Sequence, residues 1–246
     1  MIKLTKLPEP NDLVINKTNL LNEYIQNKTS VWRKDYITSA LLNSSNQKCA
    51  YCECKLIEES KYLEVEHFKH KDKHPNDVVN WDNLLPSCKK CNTSKGTHDV
   101  TIIPIIDPFV IDPKDHLNFS EYRLKSRTKL GKDTIDVLNL NDTMRLVTKR
   151  FNIGEVIKNT LEICTENLEL YNNSPSTRTK NKIIKTIKNL LIECSPNAQY
   201  SAISATVLLN QDEYTEIKNQ LITLNFWDQD LIDAEAIATS IKLNKV

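Results

Sequence analysis

The sequence predicts a mainly α protein with a small α+β core. Three observations carry this: only three glycines in 246 residues, a Cys-, His- and Asn-rich block from Cys49 to Gly96 without helical periodicity, and long helical apolar stripes in the C-terminal half. So few glycines disfavour many tight hairpins and favour helices joined by Asn, Ser, Asp and Pro turns. With 39% hydrophobic and 26% charged residues, the composition is that of an ordinary globular chain.

Residues 1–47 read as an N-terminal helical segment. Leu13, Leu20, Leu21, Tyr24, Ile25, Trp32, Tyr36, Ile37 and Leu41 fall mostly at three- and four-residue steps, which predicts two amphipathic helices broken near Asn27 to Ser30. Met1 to Pro10 has no apolar signal-peptide core, and no segment approaches the roughly 20 apolar residues that span a bilayer. A cytoplasmic location without membrane contact is expected. The formal net charge of +1 means that binding to a polyanion must depend on local basic patches.

Residues 48–100 read as a compact metal-organised module. Five of the seven cysteines lie between Cys49 and Cys91, and in a reducing compartment such crowding points to metal rather than disulfides. Cys49-Ala-Tyr-Cys52 and Cys88-Lys-Lys-Cys91 are paired C-x-x-C knuckles that offer four thiolates to one tetrahedral zinc ion. Such a site is closed and structural, and its binding free energy of roughly 10 to 16 kcal/mol becomes folding energy. Cys54 is read as a bystander. Cys164 and Cys194 are expected as buried small hydrophobes.

Residues 101–140 read as an extended linker wrapping the core, since Pro104, Pro108 and Pro113 forbid a continuous helix. Arg123, Lys125, Arg127 and Lys129 would share one face of an extended segment, either as a phosphate track or as a solvated edge strand. Residues 141–246 read as a helical domain. One stripe comprises Leu146, Val147, Ile153, Val156, Ile157, Leu161 and Leu168, and a second runs through Ile183, Ile184, Ile187, Leu190 and Leu191. Arg178, Lys180, Lys182, Lys185 and Lys188 load the start of the second helix with positive charge, for which a solvated face is the default reading and an anionic partner the alternative.

Between and after the knuckles stand Leu63-Glu64-Val65-Glu66-His67-Phe68, Trp81-Asp82-Asn83-Leu84-Leu85 and Cys91-Asn92-Thr93-Ser94-Lys95-Gly96. The order Cys-x-x-Cys, Glu-His, Asn-Leu, Cys-x-x-Cys-Asn-x-x-Lys-Gly resembles the HNH nuclease family, whose ββα-metal fold grips one catalytic ion. The resemblance implies that His67 is the general base, that Glu66 and Asn92 ligate Mg²⁺ or Mn²⁺, that Asn83 braces the loop orienting His67, and that Lys95 lies beside the scissile phosphate. Glu66 departs from the aspartate more usual there, keeping the charge on a side chain one methylene longer. The chemistry asks for the same residue types. A histidine can take a proton from water near neutral pH, and a hard divalent ion on oxygen ligands offsets charge on the phosphoryl and leaving oxygens. His70 and His74, in the Lys-rich loop after His67, read as phosphate contacts or as solvated loop residues.

Beyond the module, Ile106-Asp107-Pro108, Asp112-Pro113-Lys114-Asp115-His116-Leu117 and Leu138-Asn139-Leu140-Asn141 resemble the nuclease subunit of Septu-type antiphage systems, also found beside some retrons. That implies an ABC- or SMC-like ATPase partner, a retron reverse transcriptase with its DNA as a further associate, and a nucleic-acid substrate, DNA ahead of RNA. The chain has no G-x-x-x-x-G-K loop of its own. The competing reading is a zinc-ribbon module that binds nucleic acid or protein without cleaving.

Overall fold

The computed structural model describes residues 1–57 and 62–246. Contacts gather the chain into two compact units, one of residues 1–116 with 126–141 and one of residues 117–125 with 142–246. The segments expected as an N-terminal helical region and a nuclease module thus lie together in the first unit.

In that unit, α1 spans Asn11–Asn27 and α2 spans Asp35–Ser44. The Pro10 carbonyl accepts from Leu13 and Val14, and α1 stops where Lys28 turns left-handed (φ 55°) and donates its N–H to the Tyr24 carbonyl. Leu13, Leu20 and Tyr24 of α1 and Ile37 and Leu41 of α2 face one hydrophobic core with Val65, Val78, Val79, Trp81 and Leu84. The helix pair and the metal module therefore share their burial, at about 1.5–3 kcal/mol for each fully buried large apolar side chain.

Strand β1 (Leu63–His67) pairs antiparallel with β2 (Leu84–Cys88), with Glu66 opposite Leu85 and His67 opposite Leu84. Pro86 is tolerated in this two-stranded ribbon, and its carbonyl accepts from Ala50 in the first knuckle. β2 runs straight into α3 (Lys89–Lys95), where Cys88 is the N-cap and its sulfur accepts from Cys91 N–H at 3.4 Å. α3 ends at Gly96, whose φ of +52° a side chain would strain.

The stretch from residue 101 to 116 carries one 3₁₀ turn, Pro113–Asp115, and buries Ile105 and Ile106, while the rest of the segment expected as an extended linker, 117–140, forms two strands and a helix. The Ile106 N–H donates to Thr134 of α4 (Lys129–Val137) at 2.8 Å. The first residues are buried more deeply than their sequence signals: Met1, Ile2 and Leu4 lie in the core, and Lys6 donates to the carbonyls of Trp81 and Leu84.

The second unit contains β3 (Leu117–Ser120), β4 (Arg123–Ser126) and β5 (Asn244–Lys245), in sheet order β4-β3-β5 with β3 parallel to β5. Its helices are α5 (Thr148–Asn173), α6 (Thr177–Ile192), α7 (Ser201–Leu208), α8 (Asp212–Thr223) and α9 (Gln229–Ile241). Every residue of α7 is buried. The four-cation stripe does not form as expected. Arg123 and Lys125 share β4, but the Thr128 hydroxyl caps Gly131 N–H, so that Lys129 already belongs to α4. α5 packs through Ile157, Leu161, Cys164 and Leu168, while Val156, expected in the stripe, is 63% exposed. Cys164 and Cys194 are buried. Among the described residues no helix is long and apolar enough to cross a membrane.

Candidate active site and cysteine cluster

The sulfurs of Cys49, Cys52, Cys88 and Cys91 all lie within 4.8 Å of one another, and all four residues are buried. The Cys52 and Cys88 sulfurs are 3.8 Å apart. Four thiolates about 2.3 Å from a tetrahedral zinc ion would stand about 3.8 Å from each other, so the cluster has the dimensions of such a site. The first knuckle closes through Cys49 N–H to Cys54 O (2.8 Å) and Glu53 N–H to Cys49 O (3.0 Å), with Glu53 left-handed at φ 64°. Cys54 is buried beside the cluster but is not one of the four. Its backbone carbonyl shapes the turn, and its thiol interacts with Cys49, Cys52 and Cys88.

Glu66 and His67 end β1 side by side, 2% and 6% exposed. His67 Nε2 lies 3.0 Å from the Val78 carbonyl. A carbonyl only accepts, so Nε2 carries the proton and Nδ1 is left as the basic nitrogen. The Trp32 indole stands perpendicular to the imidazole, at 85° and 4.6 Å between centroids. Burial lowers the imidazole pKa to about 4, a shift that the Val78 hydrogen bond partly opposes and nearby lysines reinforce. The ring is therefore neutral, as a base must be.

Glu66 is pushed up to about 7 by burial, while the Lys95 ammonium pulls it back. Lys95 Nζ stands 2.6 Å from Glu66 Oε1, off the hydrogen-bonding direction, and that oxygen has no directed donor among the described residues. The same ammonium donates to the His67 carbonyl at 2.8 Å and is buried. The resemblance places Lys95 beside the scissile phosphate. The geometry turns it inward instead, where it holds the carboxylate and the strand end together.

Asn83 is 4% exposed and uses both ends of its amide. Its Oδ1 accepts from Lys69 N–H at 2.6 Å, and its Nδ2 donates to the carbonyls of Lys69 and Asp77, each at 3.1 Å. Its own carbonyl accepts from Phe68 N–H at 2.9 Å. These bonds tie both ends of the 68–77 loop, next to the Val78 carbonyl that His67 meets. Asn92 is half-buried on α3, three residues before Lys95 and so on the same helical face. A carboxylate and an amide offer the hard oxygen ligands that Mg²⁺ or Mn²⁺ prefers.

In the lysine-rich loop, Lys69 pairs with Asp77 and Lys73 with Asp99, while His70 and His74 are half-buried. Reasoning from sequence missed two contacts of His67. Trp32 was legible only as one apolar residue among several, and the Val78 carbonyl leaves no side-chain signal at all.

The HNH endonuclease family matches residues 49–98. The chain is 47% identical over 230 residues to the Septu protein PtuB of Bacillus thuringiensis, covering 93% of this chain and 90% of that protein. It is 24% identical to the Septu protein PtuB of Bacillus mycoides strain KBAB4, over 78% of this chain and 80% of the other.

Proposed function

The chain belongs to the PtuB family of Septu defence proteins and carries an HNH endonuclease domain, and on that premise we propose that it hydrolyses phosphodiester bonds, DNA ahead of RNA, with Glu66, His67 and Asn92 at the reacting centre. The observation that carries this reading is the pairing of a buried carboxylate with a neutral histidine at the end of β1, both held from behind.

His67 Nδ1 takes the proton of the attacking water, while Nε2–H stays on the Val78 carbonyl, which favours that tautomer. Glu66 and Asn92 would hold the catalytic divalent ion, Mg²⁺ or Mn²⁺. When bound, that ion supplies charge stabilisation at the phosphoryl and leaving oxygens. Lys95 braces the Glu66 carboxylate and the His67 backbone, and Asn83 fixes the loop that presents Val78. Cys49, Cys52, Cys88 and Cys91 would hold zinc, which would lock α3 against β2 and so set Asn92 relative to Glu66.

The defence setting further supports a cytoplasmic location and an ABC- or SMC-like ATPase partner, with a retron reverse transcriptase and its DNA as an associate in some systems. Metal dependence tests the ligand assignment. Glu66→Gln and Asn92→Ala should each raise the Mg²⁺ or Mn²⁺ concentration needed for half-maximal cleavage while leaving the zinc content intact. Unchanged metal dependence in both variants would remove these residues from the ion.

A further inference from the structure

We propose that Trp32 is a positioning residue for His67, the indole holding the imidazole in the one orientation that presents Nδ1 as the basic nitrogen. The inference rests on the reading of His67 as general base. It comes from a residue outside the segment that matches the nuclease family, residues 49–98.

A histidine ring rotates broadly about its last side-chain bond, with two nearly equivalent orientations. Turning it over exchanges Nδ1 with a carbon and Nε2 with the other carbon, so a flipped ring offers no base to the water. The hydrogen bond from Nε2 to the Val78 carbonyl, at 3.0 Å, is lost in the flipped ring and so favours this orientation, but one bond leaves the imidazole plane free to tilt. The perpendicular indole at 4.6 Å supplies a wall against which the imidazole plane is set.

The wall is itself fixed. Trp32 sits in the short turn between α1 and α2, where Val31 N–H donates to Thr29 O and Arg33 N–H to Ser30 O. It is 8% exposed, belongs to the core shared by the helix pair and the ββα module, and meets the Tyr24 ring at 5.9 Å and 64°. The helix pair thereby contributes to the reacting centre and does more than pack beside it.

The test uses the full chain, together with its Septu partner wherever the chain alone is silent, as wild type, Trp32→Phe, Trp32→Leu and His67→Ala. Zinc content and circular dichroism establish that each is folded. The readouts are kcat and KM for nucleic-acid cleavage and the imidazole nitrogen signals of ¹⁵N-histidine-labelled protein. Trp32→Leu keeps the site apolar but removes the flat wall and part of its volume. It should lower kcat about tenfold or more with little change in KM, since small misplacements of a catalytic group cost that much. It should also replace the single Nε2–H tautomer signal of His67 with a mixture, and Trp32→Phe should restore both. A folded Trp32→Leu with wild-type kcat and one tautomer overturns the proposal. Cleavage surviving in His67→Ala sinks the general-base reading separately, whatever the imidazole signals of the Trp32 variants show.

Discussion

At the scale of single residues, the proposed site joins a few groups assigned to the reaction with several that restrain them. Asn83 satisfies three backbone groups of the 68–77 loop through its side chain. Asn83→Asp would set a carboxylate oxygen against the carbonyls of Lys69 and Asp77, and each buried partner left unsatisfied costs about 1–3 kcal/mol. The expected result is a lower Tm and a loss of cleavage with the zinc still bound, measured by calorimetry and a plasmid assay. Lys95→Met leaves Glu66 buried without its cation, and breaking such a pair typically costs about 3–5 kcal/mol. A loss of stability much below that range, measured by denaturant unfolding, would show that Glu66 is already neutral in the folded chain. Glu66, His67, Asn83 and Asn92 could be proposed from the sequence because their residue types carry chemistry at a recognisable spacing. Lys95 was legible as a site residue but not in its direction, since only packing decides whether a lysine faces solvent or a buried carboxylate. Trp32 and Val78 were not legible, because the first contact spans 35 positions from residue 32 to residue 67 and the second is a main-chain carbonyl.

At the scale of elements, the periodicity of residues 11–42 was sufficient to place α1, α2 and the break between them, because helices buried on one face write that face into the sequence. The first six residues were not legible, since isolated buried side chains on an extended segment produce no period. The basic stripe failed at Thr128, where a capping hydroxyl starts α4 and outweighs the alternation of charges. Two predictions belong here. Cys88→Ser, or stripping the ion with a chelator, should unfold the ββα element and the shared core of α1 and α2, seen as a loss of helical circular dichroism well beyond the seven residues of α3. In α5, Gly154→Ala sets two effects against each other. Alanine favours a helix over glycine by about 1 kcal/mol. A Cβ at that position, however, would lie 2.5 Å from the Tyr122 ring, which Phe119 and Phe151 hold from other sides. Overpacking of about 1–3 kcal/mol should win, and a raised Tm would contradict that account.

At the scale of the whole molecule, a net charge of +1 gives no long-range attraction to nucleic acid. Binding must come from local lysines and arginines and from the divalent ion. The apparent affinity for DNA should therefore fall steeply with salt while the fold does not, checked by titration at two ionic strengths. Membership of the Septu PtuB family frames the rest of the reading, with the ATPase partner proposed to gate the nuclease. Mixing the purified chain with that ATPase should yield a stable complex by light scattering, and a chain that stays monomeric would oppose it. The measurement that bears most directly on the central claim is cleavage of plasmid DNA and of bulk tRNA by wild type and His67→Ala, both zinc-loaded, in Mg²⁺ or Mn²⁺ and with the ATPase present. Wild type should cut, DNA ahead of tRNA, and a folded His67→Ala should lose about 10²- to 10⁴-fold. Equal cutting by both proteins, or none by either under every condition, would contradict the claim and favour a module that binds without cleaving.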